Sequence, residues 1–569
     1  MSVTLAGRGA APGSAVGPAF VVAPPPGGEP AEGSGSADEE RKRLADALAR
    51  AAAQLENLAE RVGAEAGDEA AGIFVAQAAF ASDPELARRA EEAIAAGAAA
   101  EVAVTRAFTS FRELLAGSAS EYLAARVADL DDVRDRVLRL LRGGDAGMEI
   151  PAEPSVIVAA ELTPSQTAEL PRDRVLAFAT ERGALTSHAA VLARALGVPA
   201  AVGVTGLVEA VTPGVEVAVD GSTGEVVIEP DEKTRERYLH RGEEAKARRE
   251  VLARFRGEPG GTADGRPVEL AANIGSLEDI EAAVEAGAEG CGLVRTEFLF
   301  IGREDPPSVE EQTKAYRRVL HAFPRHRVVF RTLDAGADKP LAFVSRRGEP
   351  NPALGVRGIR LSLRSRELFT GQLRALLRAG ERSPGRTAVM FPMVSSRPEL
   401  ERAMGVLAEA AEEEGIEPSV LEVGAMVEVP SAVLGVSRLV ERAGFVSVGT
   451  NDLLQYLFAV DRLLPELADL PDLLDPVVLS LLGEMVEAAH AGGAWVGVCG
   501  EAAASPVEAA ALVGLGVDEL SMAPVAILEV KAALRAASFE RLREAVGAAC
   551  QMAAAADVRR LLTAVLSGG

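Results

Sequence analysis

Two rhythms of hydrophobic and polar positions run along the chain. From about Glu39 to Arg142 apolar residues recur at helical spacing, as in ERKRLADALARAAAQLENLAERV, with only scattered Pro and Gly. Further helices are predicted to begin near Glu69, Pro84, Ala99 and Ser118. Long helices with short connections predict an antiparallel bundle over residues 35–145. The preceding PPPGGEPAEGSGSAD, residues 24–38, reads as a loop. From about Ser155 to Pro230 the texture changes, and short apolar strands such as SVIVAA and RVLAFAT alternate with helices, which predicts a small α/β domain. Residues 231–256 are charged and helical with little to break them, and predict a connecting helix. Mixed charge on such a helix is ordinarily a solvated face.

Beyond Val268 short apolar runs recur between helical segments: VELAANI, GCGLVRTE, RVVFRTLD, ALGVRG, TAVMFPMV, EVGAMVEVP, FVSVGTND and WVGVCGE. Eight such units predict a closed parallel (β/α)8 barrel, a TIM barrel. The whole chain is therefore expected to be multidomain α/β. In nearly every unit the polar residues come at the C-terminal end of the run: Arg295 and Glu297, Arg331 and Asp334, Arg357, Glu428, Asn451 and Asp452, then Cys499 and Glu501. Barrel enzymes build their sites on that face, so residues spread far apart in sequence are expected to converge.

The residue types at that face describe a ligand. Arg295, Arg331 and Arg357 form a cationic lining, and guanidinium forks bind phosphate and carboxylate oxygens at two points. Glu428 and Asp452 supply hard oxygen donors, and two carboxylates with substrate oxygens and water are a common way to hold Mg²⁺. The thiol of Cys499 suits a proton donor or a nucleophile, although a single Cys is more often a small buried hydrophobe.

Composition narrows the classes. The formal net charge is −25, which disfavours nucleic acid and anionic membranes as partners. No run is apolar and long enough for a transmembrane helix, and the N-terminus lacks the pattern of a signal peptide. Cys291, Cys499 and Cys550 have no metal-type spacing and fit a reduced cytoplasm. A second candidate centre lies in GALTSHAAVLARALGVPAAVG, where His188 follows Thr186 and Ser187 and opens a helix. Hydroxyl residues suit the cap, and a helix N-terminus accommodates an anion such as a phosphorylated imidazole. The other histidines, His240, His321, His326 and His490, lack such a setting.

GALTSHAAVLAR resembles the phosphohistidine signature of enzymes that use phosphoenolpyruvate, and FVSVGTNDLLQYLFAVDR resembles their second signature, on the seventh barrel strand. GLVRTEFLF, FRTLDAGADKP, NPALGVRGIR, MFPMV, GAMVEVPSA and GVCGEAA follow the same family in order. Over essentially its whole length, from GRGAAPGSAVGPA to GLGVDELSM, the chain resembles the Enzyme I family of the sugar phosphotransferase system. The resemblance implies that residues 1–23 and 148–230 form the phosphohistidine domain, that the bundle is an insertion binding the phosphocarrier HPr, that 231–257 is a linker helix, and that 258–569 is the substrate-binding and dimerising barrel. It implies that His188 is phosphorylated from phosphoenolpyruvate with Thr186 beside the phosphoryl group. It further implies that Arg295, Arg331, Arg357 and Arg462 hold the substrate, with Asn451 contributing. Lys339 falls where the family has a lysine in the same loop. Glu428 and Asp452 match the Mg²⁺ ligands, and Cys499 the proton donor that turns the enolate into pyruvate.

Three positions depart from the family pattern: Gln77 and Asp475 where histidine is common, and Leu185 where many members carry arginine. The first two bear on carrier contacts or domain packing, the third on the surroundings of His188. None removes a catalytic group. Pyruvate phosphate dikinase and phosphoenolpyruvate synthase need an ATP-binding domain ahead of the histidine, and the nitrogen-branch paralogue an extra sensory domain, for neither of which is there room. A non-catalytic regulatory protein is disfavoured by the presence of the full set of site residues.

Overall fold

The computed structural model describes residues 2–22, 36–66, 68–116, 127–143, 150–183, 190, 193, 197–336, 341, 343–344, 349, 351–461, 464–467 and 470–568. They fall into two compact units, Met1–Arg249 and Glu250–Gly569.

The first unit combines a sheet and a helical bundle. Its strands are β1 Val3–Ala6, β2 Arg8–Ala11, β3 Ser14–Val21, β4 Ser155–Ala159, β5 Val175–Thr180, β6 Ala200–Val202, β7 Glu216–Asp220 and β8 Glu225–Ile228. They form one sheet in the order β1-β8-β7-β3-β4-β5-β6-β2. β4 is buried at all five residues, which is why SVIVA reads as an unbroken apolar run. β3 and β4 pair in parallel, with Ala19 opposite Val156, and the bundle is inserted between these two neighbours. The described bundle helices are Ala37–Ala66, Asp68–Ala81, Pro84–Ala95, Ala100–Ala116 and Val127–Leu141. Leu44, Leu55, Phe74, Leu86, Phe108 and Leu130 close their common core.

Gln77 sits inside that core, fully buried, and its amide donates to Asp132 at 3.2 Å. Asp132 also accepts from the Ser165 hydroxyl (2.7 Å) and amide (3.1 Å) in the α/β part. The Gln77 departure therefore concerns packing, since a fully buried side chain presents nothing to a carrier. Asp475 caps helix Pro476–Ala491 by accepting from Val477 N at 2.9 Å, a position that favours Asp. Residues 184–189, with Leu185, lie outside the described residues. Helix Glu232–Ala253 crosses the division between the units.

The second unit is a closed, all-parallel eight-stranded barrel. Its strands are β9 Glu269–Ile274, β10 Gly290–Arg295, β11 Arg327–Arg331, β12 Arg386–Phe391, β13 Glu422–Val427, β14 Phe445–Val448, β15 Trp495–Val498 and β16 Glu519–Met522. The count of eight agrees with the sequence pattern, but one member differs. ALGVRG is not a strand. Pro352–Leu354 makes a single 3-10 turn, and the following loop ends at Gly358 with φ +55°, a backbone incompatible with a ladder. FVSV, expected as the seventh barrel strand, is therefore the sixth, β14, and the eighth strand is β16, ELSM, which closes the barrel between β15 and β9. All four of its residues are buried, including Glu519 and Ser521, so it shows neither an apolar run nor an exposed polar face. Room for these side chains comes from Gly292, where a Cβ would stand 2.4 Å from Glu519 Oε1.

β11 shows how the barrel uses alternation. Val328 and Phe330 pack outward into the helical shell, while Val329 joins the interior with Leu293, Met390, Met426, Phe445 and Cys499. Arg327 and Arg331 share the inward phase of Val329 and sit at opposite ends. At the closed end Arg327 lies 3.7 Å from the Trp495 ring, which stacks on Phe445, and faces Glu269, Glu422 and Glu519 at 3.4–3.7 Å. Arg327, even with Arg386 acting on the same cluster, does not balance three carboxylates. Burial, and then Glu269, push the Glu519 carboxyl up from 4.5 to about 8 against the pull of Arg327. The folded chain thus binds this proton more tightly than the unfolded chain, so its stabilisation is complete below pH 4.5 and is lost as pH rises to about 8. Glu519→Gln is expected to flatten that slope. Urea unfolding followed by the fluorescence of Trp495, the only tryptophan in the chain, measures it, and a wild-type slope in the variant would assign the titration to another group.

Candidate functional site

The C-terminal ends of the barrel strands open into a pocket of about 730 Å³ lined by Arg295, Arg331, Glu428, Asn451, Asp452 and Cys499, among others. Strand phase and the first turn after each strand bring these residues together. Arg295 ends β10 exposed and has no ion-pair partner among the described residues. Arg331 ends β11 buried, 3.1 Å from Glu297 and 3.3 Å from Asp334. Burial alone would lower its pKa, but Glu297, Asp334 and Glu428 outweigh burial and raise it, so it remains a cation.

Arg357 is held from two sides. Asp334 accepts from its Nη2 at 2.8 Å and from its Nε at 3.3 Å, and Asp452 accepts from its Nη1 at 3.2 Å. It is 1% exposed. Glu297 in turn accepts from the Asp334 amide at 2.7 Å, so a carboxylate chain fixes both buried arginines. Glu297 and Asp334 were legible in the sequence only as polar strand ends. Their work of holding the arginines follows from the loop after β11 folding back toward β10, which no local pattern signals.

Glu428 follows β13 and is 1% exposed. Its Oε1 accepts from the amide of Met393 at 2.7 Å. Met393 has φ +58°, and this strained backbone at the end of MFPM is what turns the amide toward the carboxylate. Burial, followed by repulsion from Asp334 and Asp452, pushes Glu428 up to about 8. Asp452 lies in the first turn of helix Thr450–Leu457, beside Asn451, whose side-chain oxygen accepts from Glu501 N at 3.3 Å. Cys499 follows β15, 3% exposed, with its Sγ 3.7 Å from Val448 O, and burial raises its thiol to about 11.

The charges and donors suit a divalent cation. Glu428, Asp452 and Asp334 crowd one another, and the repulsion on Glu428 is the imbalance a cation relieves. Among the described residues no group of three or more His, Cys, Asp or Glu is arranged to hold a metal alone. That agrees with a hard ion that takes one or two carboxylates and completes its shell with water and substrate oxygens. His188, Thr186, Lys339 and Arg462 lie outside the described residues.

Residues 249–539 match the phosphoenolpyruvate-binding domain of phosphoenolpyruvate-utilising enzymes, residues 6–126 their N-terminal domain and residues 150–224 their mobile domain. The chain is 46% identical to a phosphoenolpyruvate-protein phosphotransferase of Streptomyces coelicolor, covering 100% of both chains. The chain belongs to the phosphoenolpyruvate-protein phosphotransferase family. Other members of this family are a Haloferax volcanii protein, 42% identical over 92% of each chain, and a Bacillus subtilis protein, 38% identical over 93% of each. The pocket lies in the part of the chain matched to the family's phosphoenolpyruvate-binding domain, and the segment with His188 in the part matched to its mobile domain. No described helix is long and apolar enough to cross a membrane.

Proposed function

We propose that this chain transfers the phosphoryl group of phosphoenolpyruvate to His188, releases pyruvate, and passes the group to a histidine of the phosphocarrier HPr during sugar uptake. The observation that carries this reading is the barrel-mouth pocket, where Arg295 and Arg331 meet the buried carboxylates of Glu297, Asp334, Glu428 and Asp452 and the buried thiol of Cys499, with Arg357 paired to two of those carboxylates, in a member of this family.

Arg295 is available to the phosphate, while Arg331 and Arg357 supply fixed positive charge that needs no reorganisation as charge develops. We assign Arg462 to the same task, Asn451 to substrate contact, Thr186 to the side of the phosphoryl group, and Lys339 to a supporting part. Enzymes of this family use a metal ion, and we assign Mg²⁺ to Glu428 and Asp452. Bound there it would neutralise charge on the transferring group. An imidazole nitrogen of His188 attacks phosphorus as the bond from phosphorus to the enol oxygen breaks, and the electron pair remains on the enolate. Cys499, kept protonated by burial, gives its proton to the methylene carbon, and water restores the thiol. The bundle takes the carrier, the barrel pairs as a homodimer, and the protein works in the cytoplasm.

Incubation with radiolabelled phosphoenolpyruvate and Mg²⁺ tests the reading. The native chain is expected to carry an acid-labile, base-stable label that HPr removes and that chelation of the metal prevents. His188→Ala should carry none. Undiminished acid-labile labelling of that variant would sink the assignment.

A further inference from the structure

The far end of the chain reaches the substrate pocket through one loop. Pro471 lines the barrel-mouth pocket, and the next residue, Asp472, faces the last helix, Ala555–Leu566. Arg559 of that helix donates from Nη2 to both Asp472 oxygens, at 3.2 and 3.0 Å. It also pairs with Glu508 of helix Pro506–Gly514 at 3.4 Å. Asp472 Oδ1 accepts from Leu474 N at 2.9 Å, so the same carboxylate shapes the turn leading into helix Pro476–Ala491. Leu474 is fully buried against Val558 and Leu562, the residues that seat the last helix. Arg559 therefore stands on a packed platform and holds two carboxylates that would otherwise repel. Glu508 already feels this, since burial raises its pKa and Asp472 raises it further.

We infer that Arg559 is a positioning residue for phosphoenolpyruvate: it fastens Asp472 and thereby sets the pocket wall at Pro471, without touching substrate. This rests on reading the barrel mouth as the substrate site. The ion pair is partly exposed, with side-chain exposures of 43% and 32%, so the effect is modest and falls on binding. Arg559→Ala is expected to raise the KM for phosphoenolpyruvate about threefold to fivefold, with kcat within about twofold of native. Arg559→Lys should give a smaller rise, because it keeps the charge and loses the two-point grip. Glu508→Gln should leave native kinetics unchanged, yet lower the raised KM in the Arg559→Ala background by removing the repulsion on Asp472. A purely structural role would lower the melting temperature and kcat together and leave KM alone. An unchanged KM in a folded Arg559→Ala or Arg559→Lys protein, or no relief from Glu508→Gln, overturns the inference. Arg331→Ala in the same assay keeps the two readings apart: if it binds phosphoenolpyruvate with native KM, the pocket assignment fails; if it is crippled while Arg559 variants behave as native, only the positioning role fails.

Discussion

Arg357→Ala is expected to cut phosphoenolpyruvate-dependent phosphorylation by about 10²-fold to 10³-fold or more, the usual loss when one fixed charge-stabilising donor is removed. The guanidinium is buried between Asp334 and Asp452, so two carboxylates lose their counter-charge with it. Breaking a buried pair in this way costs about 3–5 kcal/mol of stability, and the barrel should melt earlier. Arg357→Lys separates the two effects, since it retains a cation but cannot span both carboxylates. Its melting temperature should recover more than its rate. Under the proposed function, transfer in reverse from phosphorylated HPr to His188 needs no barrel pocket, and it should stay near native in both variants. If Arg357→Ala keeps a native forward rate, the substrate is not held here.

Cys499→Ala is expected to slow pyruvate formation by about 10²-fold to 10⁴-fold, the range for loss of a placed general acid. Burial raises the thiol to about 11, which keeps it protonated through neutral pH and suits it to give a proton rather than to attack as a thiolate. The same burial predicts that alkylation, which needs the thiolate, is slow at pH 7 and accelerates as pH rises toward 11. Phosphoenolpyruvate with Mg²⁺ should slow it further. Cys499→Ser should also be slow, because a hydroxyl is a far weaker acid. The deciding measurement is pyruvate release by Cys499→Ala at saturating substrate. A native rate would show that water or another group delivers the proton.

Much of the site was legible because a parallel barrel turns a one-dimensional regularity into a location. Polar residues closing successive apolar runs must share one rim, so Arg295, Arg331, Glu428, Asp452 and Cys499 could be grouped before any geometry was known. ALGVRG misled for a related reason: it carries Arg357 at its end and has the length of a strand, yet Pro352 and Gly358 make it a loop that reaches the same rim. β16 was missed because its inward residues are Glu519 and Ser521, polar side chains in a position where an apolar residue is the ordinary signal.

The sequence by itself determined most of the elements, the family and the chemical types at the barrel mouth. Each of these depends on local periodicity or on motifs of a few adjacent residues. Only the tertiary structure decided which charges face which. Arg357 lies between Asp334 and Asp452, partners 23 and 95 positions away. Gln77 is buried rather than presented to a partner, and Arg559 reaches Asp472 from 87 positions away. Electrostatic and packing energies depend on distance through space and on burial, and chain separation carries no record of either until the barrel has closed.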